Sequence, residues 1–221
     1  PYYRSLWARR RADGDSSPID ELSSWPILTK EQVRVSPELF VSDCFLTSKM
    51  YEDHTSGTTG TPLRLWWSRQ AVRTWYAIYE ARTRGWNRVT RFDRWGLIGG
   101  QPVVSSGRRR PPFWVWNAGL NQLYLSSHHV ATWSAVHYLQ AIRDYRLRFL
   151  VGYPSSLSFL AQFAIDLGIP LTLEAVITNA EPLYPHQRAL ISRAFACRVQ
   201  ETYGLAEGVC MATECEHGSL H

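Results

Sequence analysis

Short apolar runs alternate with segments of helical periodicity in the second half of the chain, and this alternation most constrains the fold. The runs at 149–151 and 175–178 are too short for helices and are typical of buried strands, and the more polar segment 199–203 is predicted as a further strand. Helical segments lie between them, one starting near Ser155 and one with Pro185 in its first turn. Because parallel strand pairs need long crossovers, the pattern predicts an α/β fold with a largely parallel sheet flanked by helices.

The first part of the chain has a different character. Residues 1–48 are punctuated by proline and serine, which predicts an irregular arm with short helical pieces. Thr29 followed three residues later by Gln32 is typical of a capping box at a helix start. A longer helix is predicted over 69–85. We therefore expect an arm over 1–48 and an α/β domain over 49–221.

Charge and aromatic content restrict the class of partner. The formal net charge is +5, with arginine runs at 9–11 and 108–110. Such runs are typical of a solvated surface, and they also attract anionic ligands such as nucleotides. No recognisable nucleic-acid-binding module accompanies them, so we expect no nucleic-acid partner. The ten tryptophans and eleven tyrosines predict an aromatic core, with some rings left to line an apolar ligand pocket.

The cysteine pattern and the length of the apolar runs indicate the cellular compartment in which the protein is expected. Cys44, Cys197, Cys210 and Cys215 form no Cys-x-x-Cys pair, and the first residues do not resemble a signal peptide. No apolar run approaches the length of a membrane-spanning helix. The sequence therefore predicts reduced cysteines, no membrane span and a cytoplasmic protein.

A loop of glycine, threonine and serine at 54–62 is the most informative short segment. Gly57 and Gly60 allow close backbone approach to a ligand, and exposed amides in such a loop form an anion-binding concavity. This is not a Walker A loop, because Thr61 and Pro62 follow Gly60 and the loop has no lysine. The loop suits a polyphosphate, although its composition also fits a surface linker. The hydroxyls of Thr55, Ser56, Thr58 and Thr59 offer further donors to such a ligand.

The segment 56–62 resembles the phosphate loop of the adenylate-forming enzymes, which include acyl-CoA synthetases and luciferases. The resemblance implies that Thr55, Ser56, Gly57, Thr58, Thr59 and Gly60 hold the β- and γ-phosphates of ATP. The family usually carries a lysine before the proline, where this chain has Thr61.

A second segment that resembles the family lies further along the chain, in the family's order. Asn179-Ala180-Glu181-Pro182 follows a predicted strand and resembles the family's Gly-Ala-Glu-Pro segment, with Asn179 in place of glycine. The resemblance implies that Ala180, Glu181 and Pro182 lie along the adenine. An earlier turn, 152–155, resembles a Pro-Ser turn of the phenylacetate–CoA ligases.

The segment 203–207 resembles the family's Tyr-Gly-x-Ser/Thr-Glu motif. It implies that Tyr203 packs on the adenine ring, that Gly204 belongs to the same nucleotide site, and that Glu207 is the catalytic carboxylate that helps hold Mg²⁺. Carboxylate oxygen suits a hard cation on phosphates. Ala206 departs from the pattern and removes one hydroxyl contact to the α-phosphate.

The end of the chain, with Glu214-Cys215 and 218–221, resembles the phenylacetate–CoA ligase-like branch. Cys215 and His221 are of the residue types that bind zinc, and they predict half of a structural zinc site whose other ligands lie elsewhere. The alternative is a buried cysteine and a terminal histidine.

The resemblance implies ATP-dependent activation of a carboxylic acid, aryl or arylalkyl, as an acyl-adenylate. The acyl group then passes to CoA or to another thiol or amine. The acid pocket would lie between Trp95 and His129, where His128 and His129 either face the pocket or are solvated and capping. A homodimer fits this interpretation. The alternative, favoured by Thr61 and Ala206, is a catalytically degenerate nucleotide-binding module or partner subunit.

The resemblance also implies that the C-terminal part of the enzyme is missing here. The family's large domain continues past the Tyr-Gly motif with an aspartate for the ribose and an arginine near a hinge, and a small domain adds a lysine. No residue after Glu207 is Asp, Arg or Lys, and Lys30 and Lys49 precede the phosphate loop. We therefore expect 49–221 to be an incomplete nucleotide-binding (AMP-binding) domain, the N-terminal portion of a large domain.

Overall fold

A computed structural model describes residues 1–55 and 61–221. Contacts divide the chain into two compact units, Pro1–Trp75 and Tyr76–His221, with the boundary inside one helix. Most of the predicted phosphate loop, from Ser56 to Gly60, lies outside the described residues. No helix in the described ranges is both long and apolar enough to cross a membrane.

The first unit contains helices and one small sheet. Thr29 caps the second helix, because its side chain accepts from Gln32 N at 3.3 Å and its amide donates to Gln32 Oε1 at 2.8 Å, which confirms the predicted capping box. The predicted arm begins with a regular eleven-residue helix. The elements are α1 (Tyr2–Ala12), α2 (Lys30–Val35), an antiparallel pair β1 (Tyr51–His54) and β2 (Arg64–Trp67), and α3 (Arg69–Ile78), which runs into the second unit.

The second unit is built on a sheet that has seven strands among the described residues. Its strand order is β4-β5-β3-β6-β7-β8-β9, with parallel pairing from β5 to β8 and an antiparallel strand at each edge. The predicted α/β fold with a largely parallel sheet is thereby confirmed. The strands are β3 (Trp95–Gly99), β4 (Trp114–Asn117), β5 (Gln122–Ser126), β6 (Phe149–Gly152), β7 (Ala175–Thr178), β8 (Arg198–Gly204) and β9 (Met211–Thr213).

Helices cover one face of this sheet and form its main core. They are α4 (Ala135–Asp144), α5 (Pro154–Asp166) and α6 (Pro185–Phe195), one between each successive pair of strands from β5 to β8. All residues of β6 and β7 are buried, as expected for central parallel strands covered on both faces. The core between sheet and helices includes Leu150, Leu157 and Phe195.

The opposite face is covered by a segment that sequence periodicity did not anticipate. The predicted helix over 69–85 is shorter in the structure, because α3 ends at Ile78 and a π-helical turn follows over Tyr79–Arg84. The wider turn lays Arg84 over the rings of Trp95 and Phe149, at 5.2 and 6.0 Å. A buried arginine that packs on a strand residue is a tertiary feature, which a local pattern does not encode.

Candidate active site

The carboxyl ends of the five parallel strands meet at one edge of the sheet. Strand β3 lies between β5 and β6, so the direction of winding reverses beside it. Open α/β sheets bind ligands at such a switch point, outside the carboxyl ends of the strands. The residues that end these strands are Gly99, Ser126, Gly152, Thr178 and Gly204.

The turn after β7 contains the first group of predicted site residues. Asn179 N donates to Gly152 O at 3.1 Å, so the turn is fixed to the neighbouring strand. Ala180 is exposed and has φ +63°, a left-handed conformation that is unusual for a residue other than glycine. Glu181 accepts from Ser155 N and Ser155 Oγ, each at 3.0 Å. The structure therefore brings Ala180, Glu181 and Pro182 to this edge.

The second group lies in a hairpin. Tyr203 and Gly204 end β8 and pair with Ala212 and Met211 of β9. The sequence predicted a strand followed by a loop, and the returning strand β9 was missed. The phenol ring of Tyr203 is half exposed beside the tip of the hairpin.

Glu207 lies at the tip of this hairpin. A turn from Leu205 to Gly208 is closed by a hydrogen bond of 3.0 Å between Gly208 N and Leu205 O. Glu207 is exposed and has no side-chain partner among the described residues. Its carboxylate is therefore accessible from solvent.

Hydrogen bonds join the loops after β3, β5 and β6. Gly100 N donates to Tyr153 Oη at 2.9 Å, and Ser127 Oγ donates to Gly99 O at 2.6 Å. His128 Nε2 lies 3.3 Å from Gly100 O. Sequence reasoning did not single out Ser127, and it noted Tyr153 only as part of the turn 152–155; each is a polar residue directly after a strand end.

The two histidines after β5 have different environments. His128 is exposed at the rim, by which we mean the edge where the carboxyl ends of the parallel strands meet. His129 is buried; its Nδ1 lies 2.8 Å from Ser126 Oγ and its ring stacks on Phe113. Burial raises the pKa of Tyr138 well above its usual value, so its hydroxyl stays protonated and donates to Ser126 O at 2.6 Å. His129 and Tyr138 thus support the end of β5 from inside the core.

The predicted loop for the triphosphate begins at Thr55, in the first unit. Thr55 N donates to Leu63 O and Leu63 N donates to Thr55 Oγ1, both at 3.0 Å. This pair closes the base of the segment between β1 and β2. The remaining predicted phosphate ligands, Ser56 to Gly60, lie outside the described residues.

The residues predicted as half of a zinc site lie together. Cys215 and His221 line one surface cleft of about 360 Å³, with Trp86 and His217 beside them. The ring of Trp86 meets the ring of His221 edge-on at 6.3 Å. Within 1–55 and 61–221, no group of three or more His, Cys, Asp or Glu side chains is placed to hold a metal ion. Zinc binding by Cys215 and His221 stays a prediction.

The cysteines differ in reactivity. Burial raises the pKa of the Cys197 thiol to about 12. At pH 8 a thiol of that pKa is about one part in ten thousand thiolate, and the thiolate is the reactive form. We expect iodoacetamide at pH 8 to label the exposed Cys44 and Cys210 in the native protein and to leave Cys197 unlabelled until the protein is denatured. Mass spectrometry of peptides measures this, and rapid native labelling of Cys197 would contradict its burial.

Comparison with known proteins identifies the fold. No protein-family model matches the chain. The chain is 24% identical over 227 residues to Protein CapK of Staphylococcus aureus, covering 99% of this chain and 49% of that protein. A structure of 2-hydroxyisobutyryl-CoA ligase in complex with 2-HIB-AMP and CoA superposes with a TM-score of 0.60 at 19% identity, covering 99% of this chain and 48% of that chain.

A second ligase structure shows the same fold. A long-chain-fatty-acid-CoA ligase from Archaeoglobus fulgidus gives a TM-score of 0.52 at 16% identity, covering 75% of this chain and 33% of that chain. The chain spans about half the length of the curated relative, and half or less of the two ligases. The chain thus shares an α/β fold with part of each of these two ligases.

Proposed function

We propose that the protein is an adenylate-forming enzyme that activates a carboxylic acid with ATP and transfers the acyl group to CoA or to another thiol or amine. One observation carries the proposal. The segment 179–182 directly follows β7, and the segment 203–207 begins with the last two residues of the adjacent parallel strand β8. These segments resemble adenine-binding and magnesium-binding motifs, and both lie at the edge where such sheets bind ligands. Proteins with this fold include a 2-hydroxyisobutyryl-CoA ligase solved in complex with 2-HIB-AMP and CoA.

Each residue has a role that its environment permits. The exposed ring of Tyr203 offers a face on which adenine can stack, with Gly204 beside it and Ala180, Glu181 and Pro182 along the base. The loop Thr55–Gly60 is proposed, from its resemblance, to hold the β- and γ-phosphates.

The resemblance also implies Mg²⁺. Mg²⁺ takes oxygen ligands and is commonly held by one or two carboxylates together with substrate phosphates. Glu207 fits this requirement, because its carboxylate is exposed and has no partner among the described residues. Bound there, the cation would neutralise charge on the phosphates.

The reaction consists of two displacements. A carboxylate oxygen of the acid forms a bond to the α-phosphorus, the bond from that phosphorus to the bridging oxygen breaks, and pyrophosphate leaves. A thiol or amine then attacks the acyl carbon, loses its proton and displaces AMP. Phosphoryl-type transfer needs chiefly positioning and charge stabilisation, which a rim of strand-end loops can supply.

We further propose an aryl or arylalkyl acid, in keeping with the phenylacetate–CoA ligase-like branch. The supporting feature is the sequence of the chain end, with Cys215 and His221. A zinc ion on Cys215 and His221 would need further ligands from outside the described residues.

Pyrophosphate exchange tests the proposed reaction. With ATP, Mg²⁺ and a panel of aryl and alkyl carboxylic acids, we expect labelled pyrophosphate to enter ATP only when a suitable acid is present, because the first step is reversible. If the protein binds ATP but no acid in the panel supports pyrophosphate exchange, the proposed enzymatic activity is contradicted. That result would favour the alternative, a catalytically degenerate nucleotide-binding module, which the departures at Thr61 and Ala206 support.

A further inference from the structure

The turn after β7 is held in an unfavourable conformation. Ala180 has φ +63°, and the left-handed region costs a residue with a side chain about 1–2 kcal/mol. The turn is tight, since Glu181 N donates to Asn179 O at 2.8 Å. Such conformations persist where the surroundings fix them, and they cluster at functional sites.

Two anchors fix this turn from outside. On one side, Asn179 N donates to Gly152 O at 3.1 Å. On the other, the carboxylate of Glu181 accepts from Ser155 N through Oε2 and from Ser155 Oγ through Oε1, each at 3.0 Å. The turn therefore cannot relax without loss of one of these bonds.

The second anchor is also a helix cap. Ser155 is in the first turn of α5, where backbone amides have no partner within the helix. Tyr153, the residue before the helix, makes no side-chain cap hydrogen bond. The sequence predicted a helix that starts near Ser155; in the structure the helix begins at Pro154, and the carboxylate that caps it comes from the loop after β7. A carboxylate at a helix N-terminus is favourable because of the helix dipole.

We propose that Glu181 is a positioning residue for nucleotide binding. Both of its oxygens bond to Ser155, so its carboxylate faces α5, and the backbone of Asn179 and Ala180 is the part of the turn presented at the rim. The cap on α5 holds that backbone in the shape that receives the base. This inference rests on the proposed function and departs from it in giving the Glu181 carboxylate no contact with the nucleotide.

A comparison of Ser155 with Glu181 tests this role. Calorimetry with ATP and Mg²⁺ and thermal unfolding would be measured for Ser155→Ala, Glu181→Ala and the double variant. We expect Glu181→Ala to weaken ATP binding about tenfold and Ser155→Ala, which keeps the amide, about threefold. The double variant should bind no more weakly than Glu181→Ala, because both changes remove one shared interaction.

Glu174 provides a matched control. It directly precedes β7, at the opposite end of the strand from Glu181, and pairs with Arg148 at 3.2 Å on the surface. Glu174→Ala therefore removes a carboxylate next to the same strand without touching the turn, and ATP affinity should be unchanged. Faster hydrogen exchange at the Ser155 amide in Glu181→Ala, but not in Glu174→Ala, is expected from the lost cap.

Three results would overturn the inference in different ways. Weaker binding in Glu181→Ala with wild-type affinity in Ser155→Ala would mean that Glu181 contacts the nucleotide directly. If Ser155→Ala and Glu181→Ala both lower the melting temperature and leave the ATP affinity unchanged, the cap stabilises the fold and has no role in nucleotide binding. If the wild-type protein binds no ATP, the proposed function fails and this inference fails with it.

Discussion

Gly152→Ala is expected to destabilise the second unit by about 3 kcal/mol or more. Gly152 pairs in register with Ile98 between the central strands β6 and β3. A Cβ at this position would fall well inside contact distance of Ile98 Cγ2 and of the Ile98 carbonyl oxygen. A side chain can change rotamer, but the carbonyl belongs to a hydrogen-bonded strand. Overpacking in a core costs about 1–3 kcal/mol and more when backbone must move.

Two glycines of the neighbouring strand β3 provide graded controls for Gly152→Ala. A Cβ on Gly96 would meet the far ends of Leu150 and Leu147, at 2.6 and 2.9 Å, and these side chains can shift. A Cβ on Gly99 would meet nothing within 4 Å. Urea unfolding should therefore rank the losses of stability as Gly152→Ala, then Gly96→Ala, then Gly99→Ala. A Gly152→Ala protein as stable as wild type would show that the pairing of β3 with β6 is wrong.

The parallel centre of the sheet was predictable because its signals are local. Strand β7 was predicted over 175–178 and is found over those residues. A strand covered on both faces appears in the sequence as a continuous apolar run. Segments long enough for a helix separate these runs, and Gly168 and Pro185 mark the end of one predicted helix and the start of the next. Because proline favours the first turn of a helix, Pro185 predicted the start of α6, and the structure places that start at Pro185.

The edges of the sheet were not predictable in the same way. Strands β4 and β5 form an antiparallel pair joined by a 3₁₀ turn with Asn121 at φ +49°, and neither strand was predicted. Strand β9 has three residues, too few to show any periodicity, and its place is set by pairing with β8. The partner of Glu181 was missed for the same reason, since Ser155 lies in the first turn of α5 and only the fold brings the two residues together.

Glu207→Gln is expected to lower the rate of acyl-adenylate formation about 100-fold or more with little change in stability. The exposed carboxylate has no partner among the described residues, so the substitution breaks no hydrogen bond seen there. Surface changes of this kind usually alter stability by less than about 0.5 kcal/mol. An amide keeps the shape of the side chain and one oxygen but loses the charge that a hard cation prefers. Loss of one electrostatic contact to a transition state commonly costs about 10²–10³ in rate.

The measurement that isolates Glu207 is single-turnover formation of acyl-adenylate at increasing Mg²⁺ concentration. If Glu207 holds the cation, Glu207→Gln should need more Mg²⁺ for half-maximal rate, whereas a purely conformational role would lower the rate equally at every concentration. Glu174→Gln is the matched control, because Glu174 is also an exposed carboxylate and its ion-pair partner is Arg148, at 3.2 Å, on the surface away from the hairpin. Wild-type rates for Glu207→Gln at low Mg²⁺ would remove Glu207 from the proposed site. The hairpin tip would then contribute at most Tyr203 and Gly204, and the cation would need a carboxylate from elsewhere in the protein.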